Sequence, residues 1–309
     1  MGPKVAWIMA ETAPKASKCF LCNEVSENIV WREKGFEGRL CRCGLLYTNR
    51  HGTNVQVDPT LDHHNREFYS APAGLKAAWT ARNCPPGRLL EVGCGEGFFL
   101  KAARTHGYDV YGIEPNPHRA QQVREQLGVQ IEQAFLEDSR LPPASFDVVY
   151  HCDLLVHFPD PISQLSRMAA FLRPGGVLCF EVGILGGVSP TWYKLIGEIG
   201  LGQHLWLYSN RAVKTLFAKS GLVVEKIQYF GLAPEVVFGK VSGMVNNRVL
   251  RPLLNLARPV GIFPPPEWVQ KLQMSTLNFL RYKVGYFAPR IGPQTLFVVA
   301  RPEKYAIPA

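Results

Sequence analysis

Between residues 88 and 182, short apolar runs rich in β-branched residues alternate with longer stretches of helical period, and this alternation limits the fold more than any other feature of the chain. Strands that alternate with helices build a parallel sheet covered by helices on both faces, because each crossover returns the chain to the same edge. The pattern predicts strands over 88–93, 109–114, 129–134, 146–151 and 176–182. Helices fit 97–107, 117–127, 161–172 and 209–220, and a further helix over 65–81 carries Phe68, Tyr69 and Trp79 ahead of the sheet. Two more strand-like runs, 222–230 and 294–300, bring the expected sheet to seven strands of a doubly wound α/β domain. Between them lie about 60 residues rich in proline, arginine and apolar side chains.

The first strand runs straight into a glycine-rich turn, in Leu89-Leu-Glu-Val-Gly-Cys-Gly-Glu-Gly97. Glycines at such a turn let the backbone pass close to a ligand and adopt dihedrals that side chains disfavour. The spacing is G-x-G-x-G through Gly93, Gly95 and Gly97, with Glu91 two residues upstream, rather than the G-x-G-x-x-G of dinucleotide-binding turns. A second acid, Glu114, ends the next strand, where a carboxylate can accept both hydroxyls of a ribose. Together these residues resemble the first motifs of the class I S-adenosylmethionine-dependent methyltransferases. Phe146-Asp-Val-Val-Tyr150 and Leu172-Arg-Pro-Gly-Gly-Val177 are similar to the fourth strand of that family and to the turn into its fifth.

The resemblance covers about residues 85–232 and implies a Rossmann-like methyltransferase sheet that binds S-adenosyl-L-methionine. It places Glu91 near the methionine amino group, Gly93, Gly95 and Gly97 along the cofactor backbone, and Glu114 on the ribose. Asp138, or Glu137 beside it, falls in the loop where the family contacts adenine, and Tyr69 is a candidate lid. His151, at the end of the fourth strand, is expected near the methionine end of the cofactor. Methyl transfer is an in-line displacement that needs alignment and exclusion of water, and a base only if the acceptor loses a proton. Candidates at the carboxyl edge of the sheet are His151, His157, Glu181 and, on the substrate side, His204. His157 has an alternative role as a brace for the turn that follows it, and Glu181 as a salt-bridged acid.

Four of the eight cysteines are clustered, as Cys19-x2-Cys22 and Cys41-x-Cys43. Two turns that each present a pair of sulfurs suit a structural zinc ion, and four thiolates leave no open position for catalysis. The stretch resembles the zinc-ribbon module ahead of many bacterial methyltransferases of the ubiquinone-biosynthesis-like type, departing from it in having C-x-C as its second pair. Free thiols are the alternative. Cys84, Cys94, Cys152 and Cys179 read as small core residues. No apolar run approaches the roughly 18 residues that cross a bilayer, and Val5–Ala10 is short for a signal-peptide core, so the expected location is the cytoplasm.

The net charge of +9 is unevenly spread: residues 240–309 hold ten Lys or Arg and two acids. Such a block attracts phosphates of a nucleic acid, an anionic lipid surface or a phosphorylated small molecule, or is simply a solvated face. The expected organisation is an arm at 1–16, the zinc-ribbon-like module at 17–58, a linker and lid helix at 59–84, the cofactor domain at 85–232, a basic apolar insertion at 233–293, and the last strand and tail at 294–309. The insertion, helical and on the acceptor side, is where peripheral membrane contact would fall. Trp192, Tyr193, Trp206 and Tyr208 read either as an apolar pocket wall or as core. The acceptor this favours is a small apolar molecule of prenyl, polyketide or lipid-like kind; RNA or protein is the alternative, for which no recognition motif is found.

Overall fold

The computed structural model describes residues 18–48, 66–230 and 293–305. The basic insertion expected over 233–293 therefore lies outside the described residues, as do the arm and most of the linker. Among the described residues, no helix is long and apolar enough to cross a membrane.

The N-terminal part forms β1 (Ile29–Glu33), β2 (Phe36–Leu40) and β3 (Leu46–Thr48). After α1 (Arg66–Asn83), the chain alternates as the sequence predicts: β4 (Arg88–Val92), α2 (Phe98–Arg104), β5 (Asp109–Ile113), α3 (Pro117–Leu127), β6 (Gln130–Glu132), β7 (Phe146–Cys152), α4 (Pro161–Ala170) and β8 (Leu172–Ile184). α5 (Pro190–Ile196), β9 (Trp206–Leu207), α6 (Asn210–Ser220), β10 (Leu222–Phe230) and β11 (Gln294–Pro302) follow. The seven-stranded sheet has the order β10-β11-β8-β7-β4-β5-β6. Strands β6, β5, β4, β7 and β8 are parallel, whereas β11 is inserted antiparallel between β8 and β10.

Local chemistry explains the helix boundaries. Asn116 accepts the His118 and Arg119 N–H groups at 3.0 and 3.1 Å, Pro117 opens α3, and Gly128 closes it at φ 62°. Asp160 and Ser209 cap α4 and α6 in the same way, by accepting the Ser163 and Ala212 N–H groups. The two faces of the sheet carry separate cores. One holds Leu89, Val148, Tyr150, Cys179 and Phe297 with Ala77 and Trp79 of α1 and Phe99 of α2. The other holds Leu90, Val149, Phe180 and Val182 with Leu165 of α4 and Leu216 of α6.

That second core also contains Cys19, Leu21, Cys41, Leu45 and Tyr47, so the N-terminal module shares its apolar interior with the main sheet. The sharing extends to the backbone, since β3 pairs antiparallel with β9 and the small sheet runs β1-β2-β3-β9. Glu33 takes the Ile199 and Gly200 N–H groups at 2.7 and 3.2 Å, and Lys219 donates to the Leu21 carbonyl at 2.7 Å.

Candidate active site

The carboxyl ends of β4 and β5 meet at the glycine-rich turn. The Gly93 and Cys94 N–H groups both donate to the Ile113 carbonyl, at 2.8 and 3.1 Å, which ties the turn to the end of β5. Gly97 caps α2 in the left-handed region at φ 74°, where a Cβ would lie 2.8 Å from Val123. Gly95 is also left-handed, at φ 54°, yet a Cβ there would meet nothing within 4 Å. The turn thus presents bare backbone to open space. Glu114, buried at the end of β5, accepts the Gly95 N–H on Oε2 at 2.8 Å and the Asn116 N–H on Oε1 at 2.9 Å. Each oxygen keeps a lone pair beyond these anchors.

Glu91 is buried, and its Oε2 has no hydrogen-bond partner. Burial drives its carboxyl well above the usual range, against the pull of the Lys76 ammonium. A carboxylate in this position costs free energy until a cation or donor reaches it. An adenosine-linked ligand with a cationic amino acid end fits this set: lone pairs at Glu114, open backbone at Gly95 and an unmatched acid at Glu91.

Lys76, which sequence reasoning missed, lies on α1 with its Nζ 2.8 Å from Glu181 Oε2 and 3.1 Å from Cys152 Sγ. Glu181 is therefore engaged in an ion pair, one of the two roles the sequence left open for it. Trp79 of the same helix is buried, but a lysine on such a helix reads as solvated unless the acid opposite is known.

His151 does not join this group, contrary to the sequence expectation. Its ring stacks on Phe180 at 4.9 Å, on the sheet face opposite Glu181, because successive strand residues point to opposite faces. The residue is fully buried with both ring nitrogens unpartnered, and burial lowers its pKa to about 3. His157 braces a turn, with Nδ1 3.1 Å from the Gln203 carbonyl oxygen. His204 lies beside it, ring centroids 5.2 Å apart, packed so closely on Gly200 that a Cβ there would be 2.8 Å from Nδ1. Burial keeps both imidazoles below the ordinary histidine value.

Glu137 and Asp138 are exposed in a 3-10 turn, Leu136–Asp138, preceded by the exposed ring of Phe135. The side chain of Tyr69 lies outside the described residues. The aromatic segment resolves as core rather than pocket wall. Tyr208 donates to the Leu155 carbonyl, Tyr193 to that of Leu185 and the Trp206 indole to that of Phe158, while Phe20 of the N-terminal module packs on Trp206 at 4.7 Å. Trp192 is half-buried.

The four sulfurs of Cys19, Cys22, Cys41 and Cys43 lie within 4.8 Å of one another. A zinc ion with bonds of about 2.3 Å holds sulfurs at this kind of separation. The two turns reach it differently, since Asn23 (φ 60°) follows the first pair and Gly44 (φ 89°) the second. These left-handed residues turn the chain back after each pair, and the C-x-C pair brings its sulfurs into the same cluster as the C-x2-C pair. Burial holds the Cys41 thiol up to about 11 and that of Cys19 higher, so an added cation is what would make these two thiolates. Glu24 and Arg42, one from each turn, form an ion pair beside it.

Comparison with known proteins bears on this geometry. The family model described as a methyltransferase domain matches residues 61–227, just over half of the chain. A tRNA U34 carboxymethyltransferase of Geobacter sp. (strain M21) is 31% identical over 143 residues, covering 42% of each chain. A ubiquinone biosynthesis O-methyltransferase of Xanthomonas campestris pv. campestris (strain B100) is 33% identical over 100 residues, covering 30% of this chain and 42% of the relative. The chain thus spans less than half the length of these curated relatives. Among solved structures, a geranyl diphosphate C-methyltransferase from Streptomyces coelicolor aligns with TM-score 0.48 at 15% identity, covering 74% of this chain and 75% of that one.

Proposed function

This chain belongs to the methyltransferase domain family, and from that membership we propose that it binds S-adenosyl-L-methionine and directs its methyl group onto a small, apolar acceptor. The observation that carries the cofactor assignment is Glu114, anchored by the Gly95 and Asn116 amides with lone pairs left for a diol. Gly93, Gly95 and Gly97 seat the cofactor backbone, and Glu91 meets its cationic amino acid end. When bound, the cofactor supplies an electrophilic methyl group on a sulfonium. The chain's own residues do the rest: they orient donor and acceptor in line and keep water out.

An acceptor of prenyl, polyketide or lipid-like character is supported by the similarity to a ubiquinone biosynthesis O-methyltransferase and by the apolar, basic composition of residues 233–293, which would also receive a phosphate. Similarity to a tRNA U34 carboxymethyltransferase supports a second reading, in which the basic block holds RNA. The four-cysteine cluster is, in this reading, a structural zinc site that fastens the N-terminal module to Trp206 and Tyr208. His157 and His204 support the acceptor side.

Incubation of the purified protein with methyl-labelled S-adenosylmethionine and a cell extract, followed by partition of the label, tests the acceptor class. Label in the organic phase is the expected result. Label in RNA would establish the second reading, and label in protein would overturn both.

A further inference from the structure

Transfer to a hydroxyl releases a proton, and three of the groups that sequence suggests for receiving it are otherwise occupied or turned away. His151 faces the opposite side of the sheet, His157 is held by the Gln203 carbonyl, and Glu181 is paired with Lys76. The next residue along the chain from β7 is different. Asp153 adopts φ 52°, one of four non-glycine residues with positive φ among those described; the others, Asn23, Lys34 and Ala144, lie away from the carboxyl edge of the sheet. A non-glycine residue held there is strained, and such strain persists where the surroundings fix it.

What fixes Asp153 is visible on both sides. Its N–H donates to the Glu181 carbonyl at 3.0 Å, and its Oδ1 accepts the Gly183 N–H at 3.2 Å, so β8 grips both ends of the residue. On the other side Leu154 leans over the glycine-rich turn: a Cβ on Gly93 would lie 3.0 Å from either methyl carbon of Leu154. The Asp153–Leu154 segment thus joins the first glycine of the proposed cofactor turn, through Leu154, to the end of β8, through Asp153. The Gly183 amide engages Oδ1, which leaves Oδ2 outside that bond.

We propose that Asp153 is the general base of this enzyme, taking the proton from an acceptor hydroxyl as the methyl group is transferred; the inference rests on the methyltransferase reading above. The acceptor O–H bond breaks toward Oδ2, the freed electron pair forms the O–CH3 bond, and the pair of the broken C–S bond stays on sulfur. The carboxylate and the sulfonium are neutralised together, and the carboxylic acid then returns its proton to water. Burial, and after it the Glu181 carboxylate, hold Asp153 up to about 6, so it is a stronger base than an ordinary carboxylate yet ionised at neutral pH. The titratable groups around it are Glu181 from β8, Lys76 from α1, His157 and Cys152 from its own segment, and Tyr208 beyond β9.

The test is Asp153→Asn, because asparagine tolerates positive φ and still offers an oxygen to Gly183, so backbone and hydrogen bond survive while basicity is lost. The probe is the organic-solvent extract of cells, with methyl-labelled S-adenosylmethionine and S-adenosylhomocysteine binding measured in parallel. The parent rate should rise about tenfold per pH unit up to about pH 6 and then level. Asp153→Asn should lose about 100-fold or more at pH 7 with S-adenosylhomocysteine affinity within about twofold, whereas Asp153→Glu should keep the rising limb. An Asp153→Asn rate within about tenfold of the parent, or an unchanged pH profile, overturns the proposal. Loss of S-adenosylhomocysteine binding in that variant would make Asp153 a cofactor-seating residue instead, also overturning it. A parent that binds S-adenosylhomocysteine but labels no fraction overturns the methyltransferase reading itself, and the base with it.

Discussion

Lys76 Nζ lies 2.8 Å from Glu181 Oε2, joining α1 to the end of β8 with both side chains largely withdrawn from water. The contact is an ion pair rather than an aligned hydrogen bond, and Glu91 adds a second buried acid near the same ammonium. Three elements that carry the candidate site, β4, β8 and α1, are therefore coupled through one lysine.

Removing one partner of a buried pair leaves the other charge unmatched. Lys76→Met should destabilise the protein by about 3–5 kcal/mol, and the double variant Lys76→Met/Glu181→Leu should recover much of that loss. Denaturant unfolding of the three proteins checks this. Equal stability of parent and Lys76→Met would mean that the pair is open to solvent.

The N-terminal module shares its core with the main sheet through Phe20, Tyr47, Trp206 and Tyr208. Protein purified anaerobically should hold one zinc per chain, and Cys41→Ser should lose it. Because the core is shared, chelation should lower the melting temperature of the whole transition rather than release a separate early one. Calorimetry with and without chelator distinguishes these, and zinc-free parent protein would remove the metal assignment.

His151 offers a pH test. Its folded pKa of about 3 lies below the ordinary 6.5, so below pH 6.5 the unfolded chain takes up a proton that the folded one refuses. The contribution of His151 to stability is therefore lost as pH falls from about 6.5 toward 3. His151→Phe keeps the stack on Phe180 and removes two unpartnered nitrogens, which should stabilise the protein by about 1–3 kcal/mol at pH 7 and by more at pH 5. Melting curves at the two pH values read this directly, and a stability difference independent of pH would contradict the burial of the ring.

Much of the fold was legible because strand and helix periods differ and the caps are local: Asn116-Pro117 and Gly128 bound α3 in sequence as they do in space. The fold class follows from such local signals, as does the position of Glu114 at the end of β5. α5 escaped notice although Ser189-Pro190 and Gly197 mark its ends. β9 could not be read at all, since Trp206 and Leu207 are a strand only because Tyr47 and Leu46 lie opposite. The same holds for the site. The faces of β7 depend on pleat register, which set His151 apart from Glu181, and the partnership of Lys76 with Glu181 spans α1 and β8. Asp153 carried no signal in the sequence; its backbone conformation and its hold on Gly183 exist only in the folded sheet.

In the proposed cofactor site Glu114 carries the most weight, since its two amide anchors leave lone pairs that a ribose would take. Calorimetric titration with S-adenosylhomocysteine, parent against Glu114→Ala, tests this directly. Two charge-assisted hydrogen bonds to the diol are worth about 1.5–3 kcal/mol each, so the affinity should fall by about 100-fold or more, with the fold intact by circular dichroism. Undiminished binding in Glu114→Ala would contradict the placement of the cofactor at the β4–β5 edge.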